Sequence, residues 1–138
     1  MSYRLNLALL LALPLAACVE PTSPTAAPVD FAYPLQRLQT EPAFVVTEND
    51  GEVSVRGYLQ TPCLGYGARV EAERSGSMLK VRIVAIDPGL CAAAIGTYGY
   101  QATLRGLPAG EYQLRVEHVY PRTGWPTTVH VDTQVVVP

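Results

Sequence analysis

Residues 41–138 predict an all-β domain, a single antiparallel β-sandwich of about seven strands. Three observations carry this. Apolar and polar residues alternate with a period of two through the long segments, which puts successive side chains on opposite faces of a sheet. Turn residues punctuate those segments at Asn49-Asp50-Gly51, Ser75-Gly76-Ser77, Pro88-Gly89 and Pro108-Ala109-Gly110. No stretch beyond residue 17 repeats its apolar residues at helical spacing.

The strands follow in order. A short first strand is expected at Ala43–Thr47. In the second, Val53, Val55, Gly57 and Leu59 share one face, and Ser54, Arg56, Tyr58 and Gln60 the other. The third alternates Ala68, Val70 and Ala72 with Arg69, Glu71 and Glu73; the fourth alternates Leu79, Val81, Ile83 and Ala85 with Lys80 and Arg82. Tyr98, Tyr100, Ala102 and Leu104 mark the fifth. Tyr112, Leu114 and Val116 alternate with Gln113, Arg115 and Glu117 in the sixth; Val129, Val131, Val135 and Val137 alternate with His130, Asp132 and Gln134 in the seventh. Charge selects one register for the third and fourth strands. Glu73 opposite Lys80 and Glu71 opposite Arg82 leave Ser75 to Met78 as a four-residue turn. The same register sets Val70 beside Ile83 and Ala72 beside Val81, which a one-residue slip would undo.

The segment Leu107-Pro108-Ala109-Gly110-Glu111-Tyr112-Gln113-Leu114-Arg115-Val116 resembles the corner between the fifth and sixth strands of immunoglobulin-like and fibronectin type III-like domains. The resemblance implies an immunoglobulin-like sandwich in which Tyr112 caps the corner by bonding to backbone upstream. The core tryptophan of antibody domains is missing, and the cysteines do not lie on the second and sixth strands. A transthyretin-like sandwich shares the turn style and stays open as the alternative.

The first forty residues are organised differently. Arg4 precedes an apolar run from Leu5 to Leu13, broken by Asn6 and ended by Pro14. This is the anatomy of an export signal, and it is shorter than the ~20 residues a membrane-spanning helix needs. Leu15-Ala16-Ala17-Cys18 follows, and it resembles the lipobox of bacterial lipoproteins. The resemblance implies cleavage before Cys18 (residues 1–17 being the signal peptide), lipidation of Cys18, and residence in the bacterial cell envelope. By the same resemblance, Val19 in the next position implies the outer membrane. Residues 18–40 carry Pro21, Pro24, Pro28 and Pro34 among Thr, Ala and Ser, the composition of a disordered, semi-extended tether. Phe31, Tyr33, Leu35 and Leu38 let its distal part, 31–40, dock on the domain.

With Cys18 assigned by this resemblance, Cys63 and Cys91 remain. The implied compartment is oxidising and lets them pair. Strand directions place the segments after the second and fourth strands at one pole, which brings the two cysteines together. Two buried free thiols and a metal pair are the alternatives.

Candidate sites are sparse. The chain has a formal net charge of −2 and no basic stripe, so nucleic acid is not an expected partner. Gly-x-Ser-x-Gly and His-Glu-x-x-His are absent from the sequence, which predicts no catalytic site and no cofactor. His118 and His130 lie on consecutive strands, but parity sends them to opposite faces, so no metal site is expected. The loop Tyr120-Pro121-Arg122-Thr123-Gly124-Trp125-Pro126 is the best binding candidate. Trp125, Tyr66, Tyr120 and Arg122 make up an expected binding surface beside the disulfide. The leading functional expectation is a membrane-tethered lipoprotein that displays a non-catalytic sandwich to an envelope protein or supports envelope structure. A carbohydrate-binding module using loop aromatics is the first alternative, and a small inhibitor or hydrolase domain the second.

Overall fold

The computed structural model describes residues 23–138; Cys18 and the signal-like segment lie outside them. Nine strands are present among the described residues: β1 (Thr25–Ala26), β2 (Val29–Ala32), β3 (Val45–Asn49), β4 (Glu52–Thr61), β5 (Gly67–Ser75), β6 (Met78–Ile86), β7 (Gly96–Leu104), β8 (Gly110–Val119) and β9 (Thr128–Val137). They form two packed sheets, β1-β5-β6-β8-β9 and β2-β7-β4-β3. The all-β sandwich expected from alternation is what the chain adopts. The seven body strands appear close to their expected bounds, the first displaced to Val45–Asn49.

The β5–β6 register is the one that charge and burial selected, with Glu71 opposite Arg82, Glu73 opposite Lys80, Val70 opposite Ile83 and Ala72 opposite Val81. Gly76 sits at φ +59° in the loop that closes it, a conformation in which other residues are strained. Tyr112 caps its corner as the resemblance implied: its hydroxyl donates to the Pro108 carbonyl at 2.7 Å. Between the sheets, Val53, Val55 and Leu59 of β4 and Tyr100, Ala102 and Leu104 of β7 meet Leu79, Val81 and Ile83 of β6 and Leu114 and Val116 of β8, all fully buried.

Three features depart from the expected frame. First, the segment read as a tether is part of the fold from residue 25 onward. β1 pairs with β5 and β2 with β7, so the chain stitches one sheet to the other across Ala27 and Pro28. The Ala27 N–H bonds Ala72 at 2.9 Å, and Pro28 accepts from the Arg105 N–H at 3.0 Å. Alternation of Val29 and Phe31 with Asp30 suits a half-buried edge strand, and prolines at its flanks do not interrupt its ladder. Second, β6 stays in the sheet of β5 and pairs with β8 in parallel. An antibody-type scheme puts the fourth body strand with the first, second and fifth. Here the tight β5–β6 hairpin holds β6 in its partner's sheet, and β2 takes the vacated edge beside β7. Third, β8 and β9 shift register between Val116 and Glu117. Val116 faces Val131 and Glu117 faces Val129, so His130 is the extra residue of a β-bulge.

Candidate functional site

The bulge builds the most distinctive side-chain cluster in the molecule. β3 covers β4 only from Arg56 back to Glu52. Beyond it the chain at Glu41–Phe44 runs past Tyr58 and Gln60, whose side chains both bond the Glu41 carboxylate. Gly57 faces inward here, and the Phe44 ring occupies the space a side chain would take: a Cβ on Gly57 would lie 2.5 Å from Phe44 Cδ1. Phe44 thereby closes the seam between the sheets and meets two histidine rings, His130 with centroids 5.1 Å away and His118 at 5.9 Å.

Parity had assigned those histidines to opposite faces, and the bulge overturns that expectation. An extra residue in one strand reverses the facing of what lies beyond it. The His118 and His130 ring centroids are 4.0 Å apart. Each ring is held through one nitrogen. Tyr100 Oη lies 3.0 Å from His118 Nε2, and Thr128 Oγ1 lies 2.8 Å from His130 Nε2. Neither Nδ1 has a hydrogen-bond partner among the described residues. Burial, aided by the neighbouring His130, pushes the His118 imidazole down to about 3. Burial also lowers His130, partly offset by the Glu41 carboxylate. Both rings are therefore neutral at pH 7, each with one N–H and one acceptor nitrogen. They line a pocket of about 130 Å³ whose walls are Tyr58, Tyr120, Trp125 and Pro126.

The outer face of the β2-β7-β4-β3 sheet carries a larger, shallower trough of about 440 Å³. Its polar groups are already engaged with one another. Arg56 bonds Gln101 at 3.1 Å, Ser54 and Thr103 share a bond at 3.1 Å, and Arg105 pairs with Asp30 and Glu52. A comparable network covers the other sheet, where the mostly buried Glu117 carboxylate meets Arg115 at 2.9 Å and Lys80 at 3.5 Å.

At the pole beyond β4 and β6, Cys63 and Cys91 lie at disulfide distance, with Cα atoms 5.7 Å apart, inside the range a bridge requires. They pin the β6–β7 connection, in which Leu90 is 96 % exposed and Ile95 62 % exposed. The Leu64 N–H adds a bond to the Ala92 carbonyl at 3.2 Å. Sequence reasoning did not single out this apolar loop.

The expected aromatic surface at this pole does not form as drawn. Tyr66 is buried, and its carbonyl accepts the Tyr33 hydroxyl at 3.1 Å. Tyr120 is buried because it shares the inward face of β8 with Val116 and His118; burial pushes its phenol up to about 12. Trp125 is half-buried and packs edge-on against Tyr120, with ring centroids 5.2 Å apart. Arg122 alone of the four is exposed, at φ +60° in the loop. Trp125 and Tyr120 thus wall the histidine pocket, while Tyr66 packs toward Tyr33. The sequence reading missed Phe44, Tyr58, Tyr100 and Thr128. One signal was available: a glycine on the otherwise apolar face of β4 needs a neighbour to fill its space.

No curated protein and no solved structure matches the chain. A family model, the ORF11 beta-sandwich domain, matches residues 53–124. That span runs from β4 into the loop after β8 and includes Cys63, Cys91, Tyr100 and His118, while Phe44 and His130 lie outside it. The architecture and this match agree, and the chain belongs to the ORF11 beta-sandwich domain family.

Proposed function

We propose that this protein is a membrane-tethered bacterial lipoprotein whose sandwich is non-catalytic and serves protein interaction or envelope structure. The observation that carries the reading is Leu15-Ala16-Ala17-Cys18 directly after a short apolar run. Lipidation of Cys18 with two or more chains gives lasting attachment, since each buried methylene contributes about 0.8 kcal/mol. Because β1 begins at Thr25, only about seven residues would separate the lipid from the fold, a reach of roughly 20 Å at ~3.1 Å per residue. Thr25 pairs with Arg74 beside the β5–β6 turn, at the end opposite the cysteine pair. An anchor there turns the pinned loop with Leu90 and Ile95 away from the membrane, where a protein partner would meet it.

Intact mass of the protein extracted from bacterial membranes tests this. The expected species begins at Cys18 and carries the mass of a diacylglyceryl group, and Cys18→Ser leaves an unlipidated chain. A mature chain that begins elsewhere and carries no lipid mass refutes the anchor. For the display role, a photoreactive residue at position 90 is expected to give a discrete adduct in cells. Crosslinking equal to that from position 50 at the other pole refutes it.

A further inference from the structure

We propose that the trough on the outer face of the β2-β7-β4-β3 sheet binds a linear, uncharged oligosaccharide. The inference does not depend on the lipid anchor, and the site lies on the flank of the sandwich rather than at the pole that carries Leu90. The two outer faces differ in kind. On the β1-β5-β6-β8-β9 sheet the outward side chains form a charged ladder, with Glu71 on Arg69 and Arg82, and Glu117 on Lys80 and Arg115. On the other sheet the middle of the face is amide and hydroxyl: Ser54, Gln101 and Thr103, with Thr47 and Asn49 alongside. The hollow above them, about 440 Å³, falls within the range of about 300–1,000 Å³ that ligand sites occupy. A second hollow of about 260 Å³, lined by Gly57 and Gly99, shares Arg56 with it. Together they follow β4 from Glu52 to Gly57, a length of roughly 17 Å at ~3.3 Å per residue.

The chemistry of this face selects the ligand. Amide and hydroxyl side chains both donate and accept, as sugar hydroxyls do. The bonds within the face hold these groups in place and leave capacity over. Gln101 accepts from Arg56 at 3.1 Å and donates to Ser54 at 3.3 Å, which leaves it one amide N–H and one lone pair. The Arg56 guanidinium makes that one bond and no ion pair among the described residues, and the Thr47 hydroxyl and Asn49 amide make no bond among them. Groups fixed in advance lose little freedom when a ligand arrives. Charge is balanced, with Arg56 and Arg105 against Glu52 and Asp30, both of which pair with Arg105. A polyanion such as nucleic acid therefore meets no excess of positive charge. An extended peptide gains by adding to a free sheet edge, but β4 and β7 each have a strand on both sides, so the floor offers it no main-chain groups. An uncharged chain of hydroxyls, bound through side chains alone, is what this face fits.

The test is a titration of the isotope-labelled Cys18→Ser chain with cellohexaose, chitohexaose and maltohexaose, followed by amide chemical shifts. At least one of the three is expected to shift the amides of Ser54, Arg56, Gln101 and Thr103 and to saturate as a single site. Added salt is expected to leave the affinity unchanged, since the sugar carries no charge to be screened. Gln101→Ala and Arg56→Ala are each expected to weaken binding about 10-fold, through the loss of one or two hydrogen bonds. If either disturbs the fold, Asn49→Ala, which removes no side-chain bond of the folded chain, carries the same comparison. Trp125→Ala is expected to bind as the starting chain does, which separates the sheet face from a site built on loop aromatics. No saturable shift with any of the three sugars, shifts confined to the Trp125 loop, or an affinity unchanged by both Gln101→Ala and Arg56→Ala would overturn the proposal.

Discussion

Replacing Gly57 with alanine tests whether Phe44 is what closes the seam. The added Cβ would lie 2.5 Å from Phe44 Cδ1 and 3.2 Å from the Tyr100 hydroxyl, against an ordinary contact of 3.4–4 Å. The Phe44 ring would have to retreat by about 1 Å. It has little room, since Tyr58 and His130 ring centroids stand 5.1 Å away and His118 5.9 Å. Overpacking of this kind costs about 1–3 kcal/mol. Gly57 does not have positive φ, so alanine also restricts the unfolded chain and regains about 0.4–1 kcal/mol. The net expectation is a loss of about 1–2 kcal/mol, read as a lower urea midpoint at unchanged slope. The same substitution in a Phe44→Ala background is expected to be neutral or stabilising, because the space is then empty. A neutral Gly57→Ala in the starting protein, or an equal cost in both backgrounds, would refute the reasoning.

Three further predictions follow from the same geometry. Tyr112→Phe removes the bond to the Pro108 carbonyl and is expected to cost about 0.5–1.5 kcal/mol in urea unfolding, with little change in the shape of the core. Joint replacement of Cys63 and Cys91 by alanine, which are 28 residues apart, is expected to cost about 3–4 kcal/mol and to raise amide exchange in the β6–β7 loop ahead of the strands. His118 is depressed to about 3 by burial and by His130, so the unfolded chain binds a proton first as pH falls. Its contribution is full above its unfolded pKa of about 6.5 and declines toward pH 3, by about 2 kcal/mol at pH 5. Urea unfolding at pH 7 and pH 5 is expected to show this difference, and His118→Phe to reduce it. An equal pH dependence in both proteins would assign it elsewhere.

Much of this molecule was legible in local pattern. Period-two alternation located the body strands, and paired charges chose the β5–β6 register, because both signals operate between residues close in sequence or directly opposed. Tyr112 was readable for the same reason: its partner lies four residues upstream. The disulfide pole followed from strand direction alone. The histidine pair was misread because parity assumes an unbroken ladder. Val116, Glu117 and His118 are buried in succession, which a regular strand with one solvated face does not do. The cause is spatial: the Glu117 carboxylate is drawn toward Lys80 and Arg115, and His118 faces the seam with Tyr100.

Sequence by itself determined the class of fold, the long body strands from Glu52 onward, the corner tyrosine and the resemblance of Leu15-Ala16-Ala17-Cys18 to a lipobox, since each is written in neighbouring residues. Tertiary structure decided the rest. Whether Val29–Ala32 pairs depends on an open edge at β7, and which sheet holds β6 depends on competition among edges far apart in the chain. One inserted residue at His130 decided which histidines meet. A bulge leaves no residue-type signature of its own, because it is a difference in length between two strands and exists only once they are paired.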